Sequence, residues 1–518
     1  MHSNAAPVPD GWGKTGSNPC LWRGVGCSVS NSVSFSVVTN LNLSNCGISS
    51  STILSCICPL DTLQSLDLSV NSIAQFSTSD CSMMSSLMAL NLSSNRLTDR
   101  LDDFSSFHQL EVLDLSFNSL SGSVGTKLSS LLRLRSLNLS SNNLDGDIGE
   151  DMLPNLQTLL LSGNCLSGAI PSSLSNVTTL SRFAANQNNF SGSIPNGLTN
   201  HLNNLDLSFN RLTGDIPSDL FLPPGLETVD LTSNMLQGNL LNGSIPESIG
   251  DASSLVYFEL HNNYLTGVIP WQLSKCKKLS LLDLALNELQ GPIPSELGNL
   301  ESLIVLELQM NNLDRYIPST LSGLSNLGIL NLSYNSFSGE IPQGILQLPK
   351  LSTLNLQGNR ITGSIPTSIS ELTGTIPTMP TSLSTLLNLS HNHLIGHIPS
   401  NIGSLVHLEI LDLSYNNLSG QVPPSLHYLI SLTMLVVSYN YLSGPIPTFH
   451  QHVKVEFTGN PNLGVISSPT DMMTDNQDFR SAMRVALISY VCGFVISFYG
   501  AGIRQGWLKG ALISSTQS

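Results

Sequence analysis

The sequence predicts a repeat solenoid with a parallel β-sheet along one face, followed by one C-terminal membrane-spanning helix. Three observations carry this. The pattern Leu-x-Leu-x-x-Asn-x-Leu recurs in 17 copies, from "LNLSNCGI" at Leu41 to "LVVSYNYL" at Leu435. A turn signal of the type Gly-x-Ile-Pro follows many of them, as at Gly339 and Gly363. Near the C-terminus, Val485 to Ile503 is a run of 19 residues without a charge. Length alone would suggest about three or four domains, but an internal repeat overrules that prior.

Each element follows from the repeat. The two leucines of Leu-x-Leu point to one face because strand side chains alternate. One coil of about 24 residues cannot bury that face, whereas stacked coils bury a continuous apolar column. The asparagine sits where the chain leaves the strand and turns inward. Its amide can both donate and accept, so it satisfies backbone groups that the turn would strand in the core. These asparagines run from Asn71 to Asn440, and the first copy carries Cys46 in their place. Proline cannot donate to a sheet and marks the turn after it. Most steps between asparagines are 22 to 25 residues, but Asn234 to Asn263 is 29 and Asn359 to Asn392 is 33. Both long steps keep two turn signals, Gly363 and Gly374 in one, "LQG" at Leu236 and "LNG" at Leu241 in the other. That favours two repeats fused after losing a strand over a small loop insertion, and predicts a bent or weakened sheet at each seam.

A unit written "LxxLxxLxLxxNxLxGxIPxxLGxL" resembles the plant-type leucine-rich repeat. The start, "WGKTGSNPCLWRGVGC", resembles that family's N-terminal cap, with Trp12, Cys20, Trp22, Gly24, Val25 and Cys27 matching its motif. The resemblance covers roughly Trp12 to Pro447. It implies a right-handed superhelix with the parallel sheet on the concave face and short 3-10 or irregular segments on the convex face. It also implies a cap disulfide between Cys20 and Cys27. The expected organisation is an N-terminal cap (1–39), a solenoid of about 17 repeats (40–447, irregular at 235–250 and 361–386) and a C-terminal cap with an acidic juxtamembrane segment (448–481). A transmembrane helix (482–504) and a short cytosolic tail (505–518) follow. The paired cysteine common in the family's C-terminal caps is missing from "FTGNPNLGVISS", which predicts a looser end.

Cys58 and Cys81, 23 residues apart, fall at nearly equivalent places on successive coils. Coils lie about 4.8 Å apart, within reach of a disulfide, although Cys56 competes for the bond. Cys165 and Cys276 read as unpaired, small buried hydrophobes. Nine Asn-x-Ser/Thr sequons occur, at Asn42, Asn91, Asn138, Asn176, Asn189, Asn242, Asn331, Asn388 and Asn417. Several arise automatically from the repeat consensus, so they argue for secretion less than the disulfide-type cap does. The apolar run at Val485–Ile503 would span about 28 Å as a helix, against about 30 Å of bilayer core. Arg504 and Lys509 follow it, which places the C-terminus in the cytosol. Ser489, Gly493, Ser497 and Ala501 form a small-residue stripe suited to helix–helix contact. No signal peptide is readable in "MHSNAAPVPDGW". A tail-anchored, cytosolic solenoid is therefore the competing topology to a plasma-membrane protein with extracellular repeats.

The balance is acidic, 35 Asp and Glu against 20 Lys and Arg, which argues against a nucleic-acid partner. No phosphate loop, kinase signature or Gly-x-Ser-x-Gly is present. "HNHLIGH" at His391, His393 and His397 lacks helical metal spacing and reads as a solvated turn. The sequence therefore predicts a binding protein without cofactor or metal, not an enzyme. Candidate ligand residues lie where middle repeats depart from Ser, Asn, Asp or Thr at exposed strand positions. These are Arg182, Asn186, Tyr257, Glu259, His261, Asp283, Glu307 and Gln309. Between the leucines, five consecutive coils carry an acid: Asp206, Asp230, Glu259, Asp283 and Glu307. Their mutual repulsion would be relieved by a cationic ligand, although Asp is also ordinary at this position, as in Asp67 and Asp412. Some receptors of the family clamp a ligand carboxylate with two arginines, and only Arg182 is available here. The family resemblance implies a receptor-like protein that binds a peptide, protein or cell-wall oligosaccharide and signals through a partner receptor kinase. The alternatives are an inhibitor of microbial polygalacturonases and a truncated decoy of a receptor kinase.

Overall fold

The computed structural model describes residues 18–29, 36–49, 52–101, 104–150, 153–234, 243–366 and 386–464. They fall into two compact units, Met1–Leu303 with Glu307–Leu313, and Ile304–Leu306 with Asp314–Ser518. Each is a stack of coils. Among the described residues no helix is long and apolar enough to cross a membrane. The expected span at 482–504, its flanking tail and the acidic segment before it lie outside them.

The first unit opens on a 3-10 turn, Pro19–Leu21, whose Asn18 side chain accepts the Cys20 N–H at 3.0 Å. Cys20 and Cys27 are bonded, and Val25–Val29 pairs antiparallel with Ser36–Asn42. From there the main sheet is parallel, leucine beside leucine: Leu41 with Leu66, Leu66 with Leu90, Leu90 with Leu113. The register persists to Phe258 beside Leu282. Leu205, Leu207, Leu282 and Leu284 are fully buried, and each such side chain contributes about 1.5–3 kcal/mol on transfer from water. Cys58 and Cys81 are joined, as their spacing predicts. Cys276 is buried, its thiol donating to the Ile249 carbonyl, but Cys165 is exposed and not a core residue.

The asparagines bridge coils. Asn287 Oδ1 accepts the Leu265 N–H of the preceding coil at 3.0 Å. Its Nδ2 donates to Leu260 O of that coil and Leu284 O of its own, at 3.0 and 3.1 Å. The residue before the asparagine is left-handed, with φ +53° at Leu286 and +56° at Asn262. This costs a non-glycine residue about 1–2 kcal/mol but turns the amide inward.

The turn signal does more than end the coil. Its glycine closes a second short strand, as in Cys165–Ala169 and Asn189–Gly192, which pair parallel in a second sheet. The following proline then caps a 3-10 helix, as Pro270 does for Trp271–Lys275. The expected short 3-10 segments are present; the second sheet was not anticipated.

Neither long step weakens the main sheet. In the first unit Val229 pairs directly with Phe258, in register. Thr266 N–H donates to Gly243 O at 2.8 Å, as Thr213 donates to Gly192. Gly243 is therefore that coil's turn glycine, nine residues after Asn234, where Gly214 follows Asn210 by four. One coil therefore spans this step, and its five residues beyond the usual 24 precede Gly243.

The second unit repeats the scheme. Leu330 pairs with Leu354, Leu354 with Leu387, and Leu411 with Leu435. Its long step also keeps the register, with Ile361 N–H on Asn392 Oδ1 at 3.0 Å and Ile395 N–H on Gly363 O at 2.9 Å. Gly363, not Gly374, is thus the turn glycine. The extra residues come after Pro366, and Gly374 lies outside the described residues. The stack also runs past 447. Lys454–Glu456 pairs with Met434–Val436, and Asn460 takes the Leu442 N–H at 3.0 Å. The expected looser cap is, up to Gly464, one more coil.

Candidate functional site on the main sheet of the first unit

Strand alternation sends the leucines inward and the intervening residues to the opposite face of the sheet. The register brings Ala184, Asp206, Asp230, Glu259 and Asp283 into one column, one strand apart. Glu307 extends it, since Leu284 N–H donates to Glu307 O at 2.9 Å. Arg182 lies beside Asn204 at one border.

The column position has a structural task that sequence reasoning did not reveal. Asp206 Oδ1 accepts the Ser208 N–H at 3.1 Å, Asp230 that of Thr232 at 2.9 Å and Asp283 that of Ala285 at 3.0 Å. Asparagine performs the same task elsewhere, Asn91 for Ser93 and Asn138 for Ser140. The turn therefore needs a short side chain with an oxygen, not a charge.

His261 Nδ1 lies 3.0 Å from Asp283 Oδ2 and 3.4 Å from Thr232 Oγ1. Hydroxyl and carboxylate face the same ring nitrogen, so the three do not form a nucleophile–base–acid relay, which needs both nitrogens. Burial pushes Asp206 up to about 8, reinforced by Asp230. Burial also raises Asp230. Glu259 is held well above the carboxylate range by burial and then by Asp230, Asp283 and Asp206. Burial would lower His261, but the charge and hydrogen bond of Asp283 together with Asp230 outweigh it and the imidazole is raised. Burial lowers Arg182, opposed by Asp206.

All eight sequence-nominated residues lie in this unit, on the sheet face away from the leucines. Only Tyr257 is exposed, at 37%, with Arg182, Asn186 and Glu307 half-buried. Glu259, His261, Asp283 and Gln309 are buried, contrary to the expectation of an exposed surface. Glu259, His261 and Asp283 are each flanked on both sides by a rung only about 4.8 Å away.

In the second unit, His391, Tyr415 and Tyr439 stack with centroids 4.1 and 4.4 Å apart. Reading the histidine turn as merely solvated missed this. The signal was an aromatic residue directly before the asparagine in consecutive repeats. The sequons also separate. Asn42, Asn176 and Asn417 are exposed and Asn91, Asn138 and Asn189 half-buried, while Asn331 and Asn388 are buried. The last two accept from the hydroxyls of Ser333 and Ser390, so they are not open acceptors. Asn242 lies outside the described residues.

A leucine-rich-repeat family model matches residues 301–361 and 384–442, and a second matches 109–131, 133–153, 155–177, 201–222 and 254–276. No curated protein sequence matches the chain significantly. Among solved structures, the plant peptide hormone receptor RGFR1 in complex with RGF2 is 28% identical. The alignment covers 85% of this chain and 83% of that one, with a TM-score of 0.69. The Arabidopsis receptor kinase HAESA, in complex with the peptide hormone IDA and the co-receptor SERK1, is 27% identical over 87% and 94%, TM-score 0.61. The Leptospira interrogans leucine-rich-repeat protein LIC12759 is 28% identical over 78% and 91%, TM-score 0.52.

Proposed function

We propose, starting from a chain that belongs to the plant-type leucine-rich-repeat receptor family, that it is a cell-surface, non-catalytic receptor-like protein. It binds a peptide or protein ligand on the main-sheet face of its first unit and signals through a partner receptor kinase. The observation that carries this reading is the likeness, over more than four-fifths of both chains, to two ectodomains solved with peptide hormones. The column of acids beside Arg182, Tyr257 and His261 supports it chemically. Varied polar and aromatic side chains on a rigid sheet are what recognition uses. In this reading the segment at 482–504 anchors the chain, the repeats are extracellular and the C-terminus is cytosolic.

The topology is tested on the tagged full-length chain in plant membranes washed with alkaline carbonate. A mobility shift on glycosidase treatment of the carbonate-resistant protein supports extracellular repeats. A carbonate-resistant protein without a shift places them in the cytosol and removes the receptor reading.

A further inference from the structure

The coils of the second unit repeat one backbone, and Arg315 departs from it. Among the described residues, every other non-glycine residue in the left-handed region directly precedes its coil's asparagine, or Cys46 in the first copy; Arg315, at φ +66°, does not. It occupies the turn position instead. Ser338 Oγ donates to its carbonyl at 3.3 Å, as Ser419 Oγ donates to Gly396 O at 3.3 Å and Ser443 Oγ to Gly420 O at 3.4 Å. From Gly122 to Gly444 every other described coil places a left-handed glycine there. A side chain at such a position costs stability that glycine does not. The fold recovers little of it. Arg315 Nε lies 4.0 Å from Asp314 Oδ1, with the two side chains 73% and 52% exposed, and an exposed pair of this kind contributes little. A strained residue that the stack does not need points to recognition.

The neighbours of Arg315 indicate what is recognised. Residues 314–316 pair with 336–338, and 338–339 with 360–361, in a short parallel sheet. Tyr316 is 70% exposed, and its ring covers Gly339, where an added Cβ would run into it. The register sets Tyr316 beside Ser338 and Ser338 beside the exposed Arg360, two rungs or about 10 Å away. The described residues of the second unit hold two arginines, and both stand on this sheet, in a chain of net charge −15. No sequon falls on these residues, whereas the exposed Asn417 lies on the strand Asn417–Gly420. A ring that projects this far cannot enclose a small ligand. Tyrosine and arginine together are what anchor protein interfaces, and guanidinium groups select carboxylates.

We propose that Arg315, Tyr316 and Arg360 form a docking surface for a second protein, engaged through a segment of it rich in Asp and Glu. This goes beyond the ligand reading of the main-sheet face and does not rest on it. The two guanidinium groups take carboxylates of the segment, and the Tyr316 ring packs against the chain between them.

The test uses the full-length chain on an array of random decapeptides, with oligogalacturonate as an acidic sugar beside them, and three variants. Arg315→Gly restores the residue that the turn uses elsewhere. Tyr316→Ser supplies the residue that follows the turn glycine at Ser193, Ser244 and Ser364. Tyr441→Ser removes another exposed tyrosine outside this surface. The expected result is a group of bound peptides enriched in Asp and Glu. Their affinity should fall about tenfold or more in Arg315→Gly and Tyr316→Ser, the size of one charge-assisted contact, and stay unchanged in Tyr441→Ser. Arg315→Gly should melt no lower than the parent chain. Acidic peptides held equally by Arg315→Gly, or no acidic enrichment at all, overturn the inference. So does a lower melting temperature in Arg315→Gly, which would make the arginine part of the stack. Oligogalacturonate bound through the same residues, without acidic peptides, replaces the protein partner by an acidic sugar.

Discussion

Asn287 Oδ1 accepts the backbone N–H of Leu265 at 3.0 Å, tying one coil to the one before it. The same amide holds two carbonyls, Leu260 O and Leu284 O. Asn287→Ala leaves the buried Leu265 N–H without its acceptor, at about 1–3 kcal/mol for one unsatisfied group, while Leu260 O and Leu284 O keep the amides of Asn263 and Asn311. The expected outcome is a loss of about 1–3 kcal/mol in denaturant titration, with local unravelling because repeat stability is a nearest-neighbour sum. A loss under about 0.5 kcal/mol, the range of surface substitutions, contradicts the bridging role.

Stability should also depend on pH in one direction. Asp206 is raised from 3.8 to about 8, and Asp230 and Glu259 are raised as well. The folded state thus binds more protons than the unfolded state, so stability falls as pH rises through that range. His261, raised from 6.5, adds stability that is complete below 6.5 and lost as pH rises through its folded value. The slopes therefore add, each group contributing at most about 1.4 kcal/mol per pH unit. The first unit should melt at lower temperature at pH 8 than at pH 5.5. Asp206→Asn together with Glu259→Gln should flatten that dependence. An unchanged slope in the double variant would show that these carboxylates do not cause it.

Glycan occupancy should follow exposure rather than the sequon count. Glycopeptide mass spectrometry of the plant-expressed chain should find Asn176 and Asn417 modified and Asn331 and Asn388 bare. Modification of Asn388, which is fully buried, would contradict the packing around it.

The 33-residue step is nine longer than the usual 24, and the strands on either side of it already pair. Removing nine residues between 367 and 385 should therefore leave the melting temperature of the second unit within a degree or two. A large loss would mean that the extra residues belong to the stack.

The repeat, its sheet and the Cys58–Cys81 disulfide were legible because each rests on local spacing: leucine alternation, the asparagine every coil, cysteines one coil apart; the Cys20–Cys27 disulfide was legible through the resemblance of the cap. The last coil was not, because "VEFTGNPNL" carries Val455 and Phe457 in place of leucines around Asn460. The two seams misled for a related reason. A second glycine imitates the turn signal, and only the hydrogen bonds of Gly243 and Gly363 reveal which glycine each coil uses. At the site, the strand pattern put all eight residues on one face, but burial there depends on rungs one strand away. The turn made by Asp230 and Thr232 needs side-chain geometry that residue spacing does not encode.

The central claim is that ligand occupies the main-sheet face of the first unit. The most direct measurement is hydrogen exchange of the full-length chain with and without the secreted peptide fraction of the tissue that expresses it. The account expects added protection at Arg182–Ala184, Asn204–Asp206, Thr228–Asp230, Tyr257–Glu259 and Leu281–Asp283. Second-sheet strands such as Cys165–Ala169 and Asn189–Gly192 should stay unchanged. Protection confined to those second-sheet strands or to the 3-10 segments would contradict it.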